Sequence, residues 1–461
     1  MRSSDGRAGP PSSPAPADVG PGWSPTRAAV GLGVLWGLAG MGTSATSVVL
    51  GPLSEELSLS TAGSAWILTS FALALASSTA VWGRVADSVG TRTPFLVGGI
   101  MLAVGAGLSS LAPSFELLLL GRLLQGLGAG AIPVLTTTTL SARYSGSERS
   151  VALGRSNSVV LVLTSLGPLL GGTIGVLVGW RGSVLLPVLA LALLPVAYTL
   201  APSRGTGARV DALGAGLVAG SAAAVLVTVQ TVGQPGPLTV VAAALAVPLI
   251  GLVALRVRRH PRGFVPLDVV REDVVVRAGV AAAAMPVVYF AGLVAVPLVL
   301  AGQGWDPMQN GLLLLPGALM GAAVSFNGAR VVARLGRRGT AVLGLVLSTI
   351  GALVAAAVGV SPWLAGLGFV GLSTGYALAQ PSLVGAVAAA VPGEVRGAAL
   401  GLFTLVFFTG SGLGSAVVGG LGDLLTLPGA LALAAVAPAV AVVVLATAKP
   451  SAAWGGRTGD A

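Results

Sequence analysis

Residues 115–131 read FELLLLGRLLQGLGAGA, and apart from Glu116 at the front edge, Arg122 is the only charge as far as Leu140. A lone guanidinium in hydrocarbon is expensive, so its presence needs a reason beyond packing. The surroundings are apolar along the whole chain: the 461 residues are 54% hydrophobic and 9% charged, with 69 Gly and 29 Pro. Mean hydropathy is +0.92. Soluble domains carry roughly 25% charged residues, and none of this size could hide so much apolar surface in one core. The bilayer has to be the solvent.

Apolar runs of about 20 residues, each enough to cross ~30 Å of hydrocarbon, recur with short polar breaks. They predict fourteen transmembrane helices, near 28–50, 63–83, 94–112, 115–140, 153–179, 182–201, 211–232, 238–255, 275–301, 309–329, 339–360, 363–391, 396–421 and 427–447. An even count puts both termini on one side. If that side is cytoplasmic, all the 25 basic residues except Arg122 and Arg181 lie in or beside cytoplasmic segments, as the positive-inside rule requires.

Residues 1–26 are rich in Pro, Ser and Gly without an apolar core, and predict a disordered cytoplasmic tail rather than a signal peptide. Cysteine is absent and His260 is the single histidine, in an Arg-rich loop. No disulfide, no metal site and no cofactor is expected. The +10 formal charge is explained by thin basic loops facing anionic membrane lipid, not by nucleic acid.

The chain repeats. GSERSVALG (146–154) returns as GEVRGAALG (393–401), with the glycines displaced by 247 residues; GRVADSVGTR (83–92) returns more weakly as ARVVARLGRR (329–338), with Arg84, Gly90 and Arg92 echoed by Arg330, Gly336 and Arg338. The first six spans are too short for that displacement, and residues 202–272 supply the surplus. The predicted layout is a six-helix bundle (27–201), two inserted helices and a basic loop (202–272), a second six-helix bundle (273–447) and a C-terminal cytoplasmic tail (448–461). Duplicated halves of this kind place a transport site near the midplane between them.

Three motifs sharpen this. In GRVADSVGTRTPF (83–95), Gly83 and Gly90 permit a tight turn, Arg84 and Arg92 hold it at the interface, and Asp87 can accept from a facing helix end or pair with an arginine. In GRLLQGLGAGA (121–131), Arg122, Gln125 and Ala129 share one helical face. In SLGPLLGGTIG (165–175), Gly167, Gly171 and Gly175 recur every four residues, and Pro168 removes a backbone donor and bends the helix. The first motif resembles the signature loop of the major facilitator superfamily. The second resembles the fourth-helix motif of its proton-coupled drug antiporters, and the third, with Gly167, Pro168, Gly171 and Gly172, the motif that marks its exporters. AWILTSFALA (65–74), GWRGSVLLP (179–187), DALGAGLVAG (211–220) and QNGLLLLPGALMG (309–321) are similar to stretches of the fourteen-helix drug:proton antiporters, so that the likeness covers nearly all of 28–447.

The resemblance implies an all-α integral membrane protein of the major facilitator fold, a monomer in the bacterial inner membrane. It implies alternating access, export of a lipophilic small molecule and import of protons, and no enzymatic activity. It implies that the loop at 83–92 latches the halves in the outward-open state, and that Arg122 takes part in coupling. The cavity would be lined by spans 1, 4, 9 and 12, which offer Trp36, Met41, Arg122, Gln125, Met285, Tyr289, Phe290, Tyr376 and Gln380. The second loop copy departs from the pattern, with Ala333 where the first has Asp87.

A larger departure is that no Asp or Glu lies near any midplane. Asp87 and Glu116 are the membrane-proximal acids of the motif helices. Glu116 is six residues from Arg122, about 9 Å along a helix; it reads either as a proton-relay partner or as an interfacial cap. The missing acid leaves room for an uncoupled facilitator or an exporter of anionic metabolites, and a non-transporting sensor or scaffold is the alternative from another class.

Overall fold

A chain whose apolar runs have no water to bond must satisfy its amides internally, which within one segment means a helix. Every regular element among the described residues of the computed structural model is helical. The structure describes residues 22–203, 205, 211–261, 263–392 and 395–455. The expected N-terminal tail up to residue 21, the last six residues of the C-terminal tail, and Gly393 and Glu394 of the second repeat motif lie outside them.

The long elements are α1 (Pro25–Ser47), α2 (Thr61–Val89), α3 (Arg92–Ser110), α4 (Phe115–Arg143), α5 (Gly146–Val178), α6 (Trp180–Leu200), α7 (Ala212–Thr231) and α8 (Pro237–Arg259). After a basic loop follow α9 (Asp273–Gly302), α10 (Pro307–Ala355), α11 (Pro362–Ala390), α12 (Arg396–Leu425) and α13 (Leu427–Ala446). Their starts are set by side-chain caps: Ser24, Ser60, Ser114, Asp211, Asp306 and Thr426 each accept from a backbone amide of the first turn. Twelve helical segments among the described residues are long and apolar enough to cross a membrane. That count takes α10 and its continuation to Gly359 as one segment of 53 residues, although the chain turns inside it at Gly336 (φ 68°, ψ 172°). It also omits the 29-residue α11.

One face gathers the arginines of the α2–α3 turn, the loop before α9 and the Gly336 turn; the other carries Glu55, Glu56, Glu116, Asp306 and Asp423, with Arg181. On this acidic face Arg181 and Trp180 donate to the two oxygens of Glu56, each at 2.7 Å, and hold its carboxyl below the usual carboxylate range. On the basic face Asp211 accepts from Arg256 and from the amides of Gly214 and Phe264, and ties α7, α8 and the loop together.

The two halves meet along two seams, α2 against α12 and α5 against α10. Small residues make both close. A Cβ on Gly172 would overlap the Pro307 carbonyl, and one on Gly311 would lie 2.5 Å from the Pro168 oxygen. These contacts belong to the acidic side, where one continuous core joins Val49, Leu50 and Leu53 of the first half to Val294, Val296 and Leu300 of the second. Towards the basic face the cores are separate, one built around α1–α6 and the other around α9–α13. Gly154 of α5 and Gly328 of α10, near that face, have open space where a Cβ would be. The halves are thus joined on the acidic side and parted on the basic side.

The inserted α7 packs on α2 and α12 at once. Gln230, 1% exposed, accepts from Thr69 and donates to the Ala62 carbonyl. Its partner α8 is largely exposed, with Val240 at 67% and Val247 at 76%, as expected of a lipid-facing helix.

Each half also clasps its own turn with the segment that follows its last helix. The amides of Thr91 and Arg92 donate to the Pro202 carbonyl at 3.1 and 3.3 Å. In the second half Arg337 Nη1 donates to the Ala453 carbonyl at 3.0 Å, and Trp454 is buried in the core beside it. Gly90 and Gly336 take positive φ (86° and 68°), a conformation that glycine adopts at little cost. The segment expected as a tail from residue 448 therefore folds back onto the helices as far as Gly455. At the other end Trp23, inside the expected tail 1–26, packs against the first-half core, and its carbonyl accepts from Tyr144 Oη at 2.8 Å.

Candidate functional site

Between the separated cores lies a cavity of about 190 Å³. Its two walls differ. The first half contributes Trp36 and Phe71 among small and hydroxylic groups (Gly40, Thr43, Ser44, Thr164, Ser165) and Asn157; the second contributes Tyr289, Phe290, Tyr376, Phe403, Phe407 and Phe408, with Ser373, Gln380, Thr404 and Ser411. Five rings of the second wall form one run, in edge contact at Tyr289–Phe290 (5.7 Å between centroids), Tyr376–Phe407 (5.8 Å) and Phe407–Phe408 (5.3 Å) and tilted at Tyr289–Tyr376 (5.2 Å). Such rings offer wide faces at low entropic cost. Among the described residues no Asp, Glu, Lys, Arg or His lines the cavity. It suits a flat, lipophilic molecule with scattered polar groups.

Helical periodicity places these groups. Trp36, Gly40, Thr43 and Ser44 share a face of α1, and Ser373, Tyr376, Ala377, Gln380 and Val384 share a face of α11. Of the residues expected from the sequence, Trp36, Tyr289, Phe290, Tyr376 and Gln380 come together here. Met41 packs with Ala45 and Leu186, and Met285 sits in the core of the second half; both are fully buried, away from the cavity wall. Span 4 supplies only Ala129 and Pro133, because its polar face turns towards α2. Helices α5 and α12, outside the four spans expected to line it, supply Asn157 to Ser165 and Phe403 to Ser411; of these the sequence offered only Asn157, as either a polar liner or an interhelical hydrogen bond. The spacing of Phe403, Thr404, Phe407, Phe408 and Ser411 was a legible signal: a helical face with two hydroxyls in an otherwise apolar span.

Arg122 lies behind the first wall, fully buried. Its Nε donates to the Ile67 carbonyl at 3.1 Å, an Nη donates to Gln125 Oε1, and its Cζ lies 4.4 Å from the centre of the Phe71 ring. Glu116 is exposed in the first turn of α4 after the Ser114 cap and is not among these partners. Gly83 and Arg84 lie in the last turns of α2, where Asp87 is exposed. Arg84 donates to the Phe264 carbonyl at 3.3 Å, and Arg92 lies 4.7 Å from the Tyr198 ring. In the motif at 165–175, Gly167 and Gly171 press against Ser44 and Ala45 of α1, whereas Pro168 and Gly172 face α10. The sequence spacing did not distinguish these two faces, because only the packing shows which partner each serves.

Two groups of helices around a shared cavity, with twelve helical segments among the described residues long and apolar enough to cross a membrane, agree with the family match and relatives that follow, which make this a multi-pass membrane transporter and not an enzyme. The chain belongs to the Major Facilitator Superfamily, which it matches over residues 32–415. Among its relatives are the multidrug resistance protein Stp of Mycobacterium tuberculosis (28% identical, covering 81% of this chain and 71% of the relative) and the tetracenomycin C resistance and export protein of Streptomyces glaucescens (27%, 86% and 75%). Another is the multidrug efflux pump LfrA of Mycolicibacterium smegmatis (27%, 86% and 81%). The fold is that of a peptide transporter POT solved in complex with sulfate, with a TM-score of 0.68 over 91% of this chain and 93% of that one at 15% identity.

Proposed function

We propose that this protein exports lipophilic small molecules across the bacterial plasma membrane in exchange for protons, by alternating access. The observation that carries the reading is the uncharged, aromatic-walled cavity held between two halves that are joined on one side only. The efflux and export proteins among its relatives support the direction. With the basic face cytoplasmic, the cavity is loaded from inside, and release requires the α2–α12 and α5–α10 seams to part.

The topology we favour is fourteen crossings, six plus two plus six, with both termini cytoplasmic. The reversal at Gly336 divides α10 into two crossings, and α11 adds a further one to the hydropathy count. The proposed units keep the boundaries 27–201, 202–272 and 273–447, and a monomer suffices because each monomer encloses its own cavity. Asp87, Arg122 and Glu116 are the proposed coupling and gating positions, Gly83 to Arg92 the latch, and Gly167 to Gly172 the exporter motif.

Everted vesicles acidified inside, with a pH-sensitive dye, test the reading. Addition of a lipophilic drug is expected to release protons, and the release is expected to be lost in Arg122→Ala. A second reading, an uncoupled facilitator, is favoured by the absence of any carboxylate from the cavity wall among the described residues. It predicts substrate flux that persists without a proton gradient and in Asp87→Asn with Glu116→Gln.

A further inference from the structure

One side chain separates the cavity from Arg122. The Phe71 ring lines the cavity on one side and covers the guanidinium on the other. Arg122 is buried yet incompletely bonded: its Nη2 has no partner. Arginine cannot accept a hydrogen bond, so the Gln125 oxygen has to face it and the amide nitrogen has to turn away. That nitrogen is also buried and unpartnered. A Cβ placed on Gly42 would lie 3.4 Å from it and 3.3 Å from the edge of the Phe71 ring. The next two residues, Thr43 and Ser44, line the cavity, and the Ser44 hydroxyl is unpaired as well.

Two unspent donors, one of them cationic, therefore sit together just behind the wall. None of the ion pairs among the described residues, Arg181–Glu56, Arg256–Asp211 and Arg277–Asp273, involves Arg122. A buried charge without a counter-charge is strongly disfavoured, and the Phe71 ring, the Ile67 carbonyl and the Gln125 amide oxygen are weak substitutes for a carboxylate. The spans hold no acid at this depth, which leaves an anion from outside the protein as the available counter-charge.

We propose that Arg122 and Gln125 form an anion subsite behind Phe71, and that the cargo is an aromatic compound with a carboxylate. The rings of the second half take its body; its carboxylate turns Phe71 aside and accepts from Arg122 Nη2 and Gln125 Nε2, a forked arrangement that suits two oxygens. This rests on the transporter reading of the cavity and specifies the cargo.

The test uses the purified full chain in lipid nanodiscs and a matched pair of fluorescent probes, 1-pyrenebutyrate and 1-pyrenebutyramide, read by anisotropy. The acid is expected to bind about tenfold or more tighter than the amide, the size of effect that hydrogen bonds to a charged group supply. Arg122→Gln is expected to abolish that preference. Phe71→Ala is expected to speed association of the acid. Equal binding of acid and amide, or a preference that survives Arg122→Gln, overturns the subsite and leaves the cavity reading intact. Failure of both probes to bind overturns both. Should Arg122→Gln not fold, Gln125→Leu reads the same subsite: loss of at least about threefold of the preference supports it, and an unchanged preference overturns it.

Discussion

Thr69 of α2 donates its hydroxyl to Gln230 of the inserted α7 at 2.8 Å, and the same oxygen lies 2.9 Å from the hydroxyl of Ser415 in α12. One residue of the inserted pair thus bridges α7 to α2 twice, with its amide nitrogen on the Ala62 carbonyl, at the point where Thr69 meets Ser415 across the seam. All of this is buried, where unpaired polar groups are costly. Gln230→Ala is expected to cost about 1–3 kcal/mol and to lower the melting midpoint in detergent. Gln230→Glu, measured above neutral pH, is expected to cost more, because it buries a charge. Intrinsic tryptophan fluorescence on heating checks both, and a midpoint unchanged in Gln230→Ala rejects the bridge.

The second seam is open to a direct probe, because the chain has no cysteine. Val294 is fully buried in the core shared by both halves on the acidic side. Val294→Cys is expected to resist a membrane-impermeant maleimide in the closed form. Adding Gly172→Val, whose side chain meets the Pro307 carbonyl, holds α5 and α10 apart; labelling is expected to rise at least about tenfold and export to fall. Labelling that stays low would place the seal elsewhere.

The helices were legible because bilayer thickness and backbone bonding leave few choices for runs of twenty apolar residues. Cavity residues were legible where a large ring interrupts small residues at helical spacing, as at Trp36 and Tyr376. Met41 and Met285 were misplaced because an apolar side chain can serve a core or a cavity equally well, and only the rotation of the helix decides. The pairing of Arg122 with Gln125 could be read from the i, i+3 spacing, whereas the Phe71 ring above it could not, since the two are 51 positions apart in the chain. The docking of Trp454 also escaped, because it follows Pro- and Ala-rich sequence that carries no helical pattern.

That docking has a measurable consequence. Trp454 is 3% exposed, and the adjacent Ala453 carbonyl holds Arg337 beside the Gly336 turn. Trp454→Ala is expected to cost about 3–5 kcal/mol, as large aromatic truncations in cores do. A stop after residue 447 is expected to do the same and to leave Arg337 open to modification by phenylglyoxal.

The last prediction concerns pH. Asp211 is held down to about 2, from an ordinary 3.8, by its bond with Arg256 and by the amides of Gly214 and Phe264. A carboxyl depressed on folding stabilises the fold above its unfolded value and loses that contribution as pH falls through its folded value. Its share is therefore complete above about pH 4 and declines towards pH 2. Asp211→Asn is expected to lower stability by about 1–2 kcal/mol at pH 7, as the loss of a part-buried charged hydrogen bond does. The gap between variant and parent should narrow steadily between pH 4 and pH 2. Melting midpoints of both proteins across that range check it, and a gap independent of pH would mean that the Asp211–Arg256 pair contributes nothing to holding α7 against the basic loop.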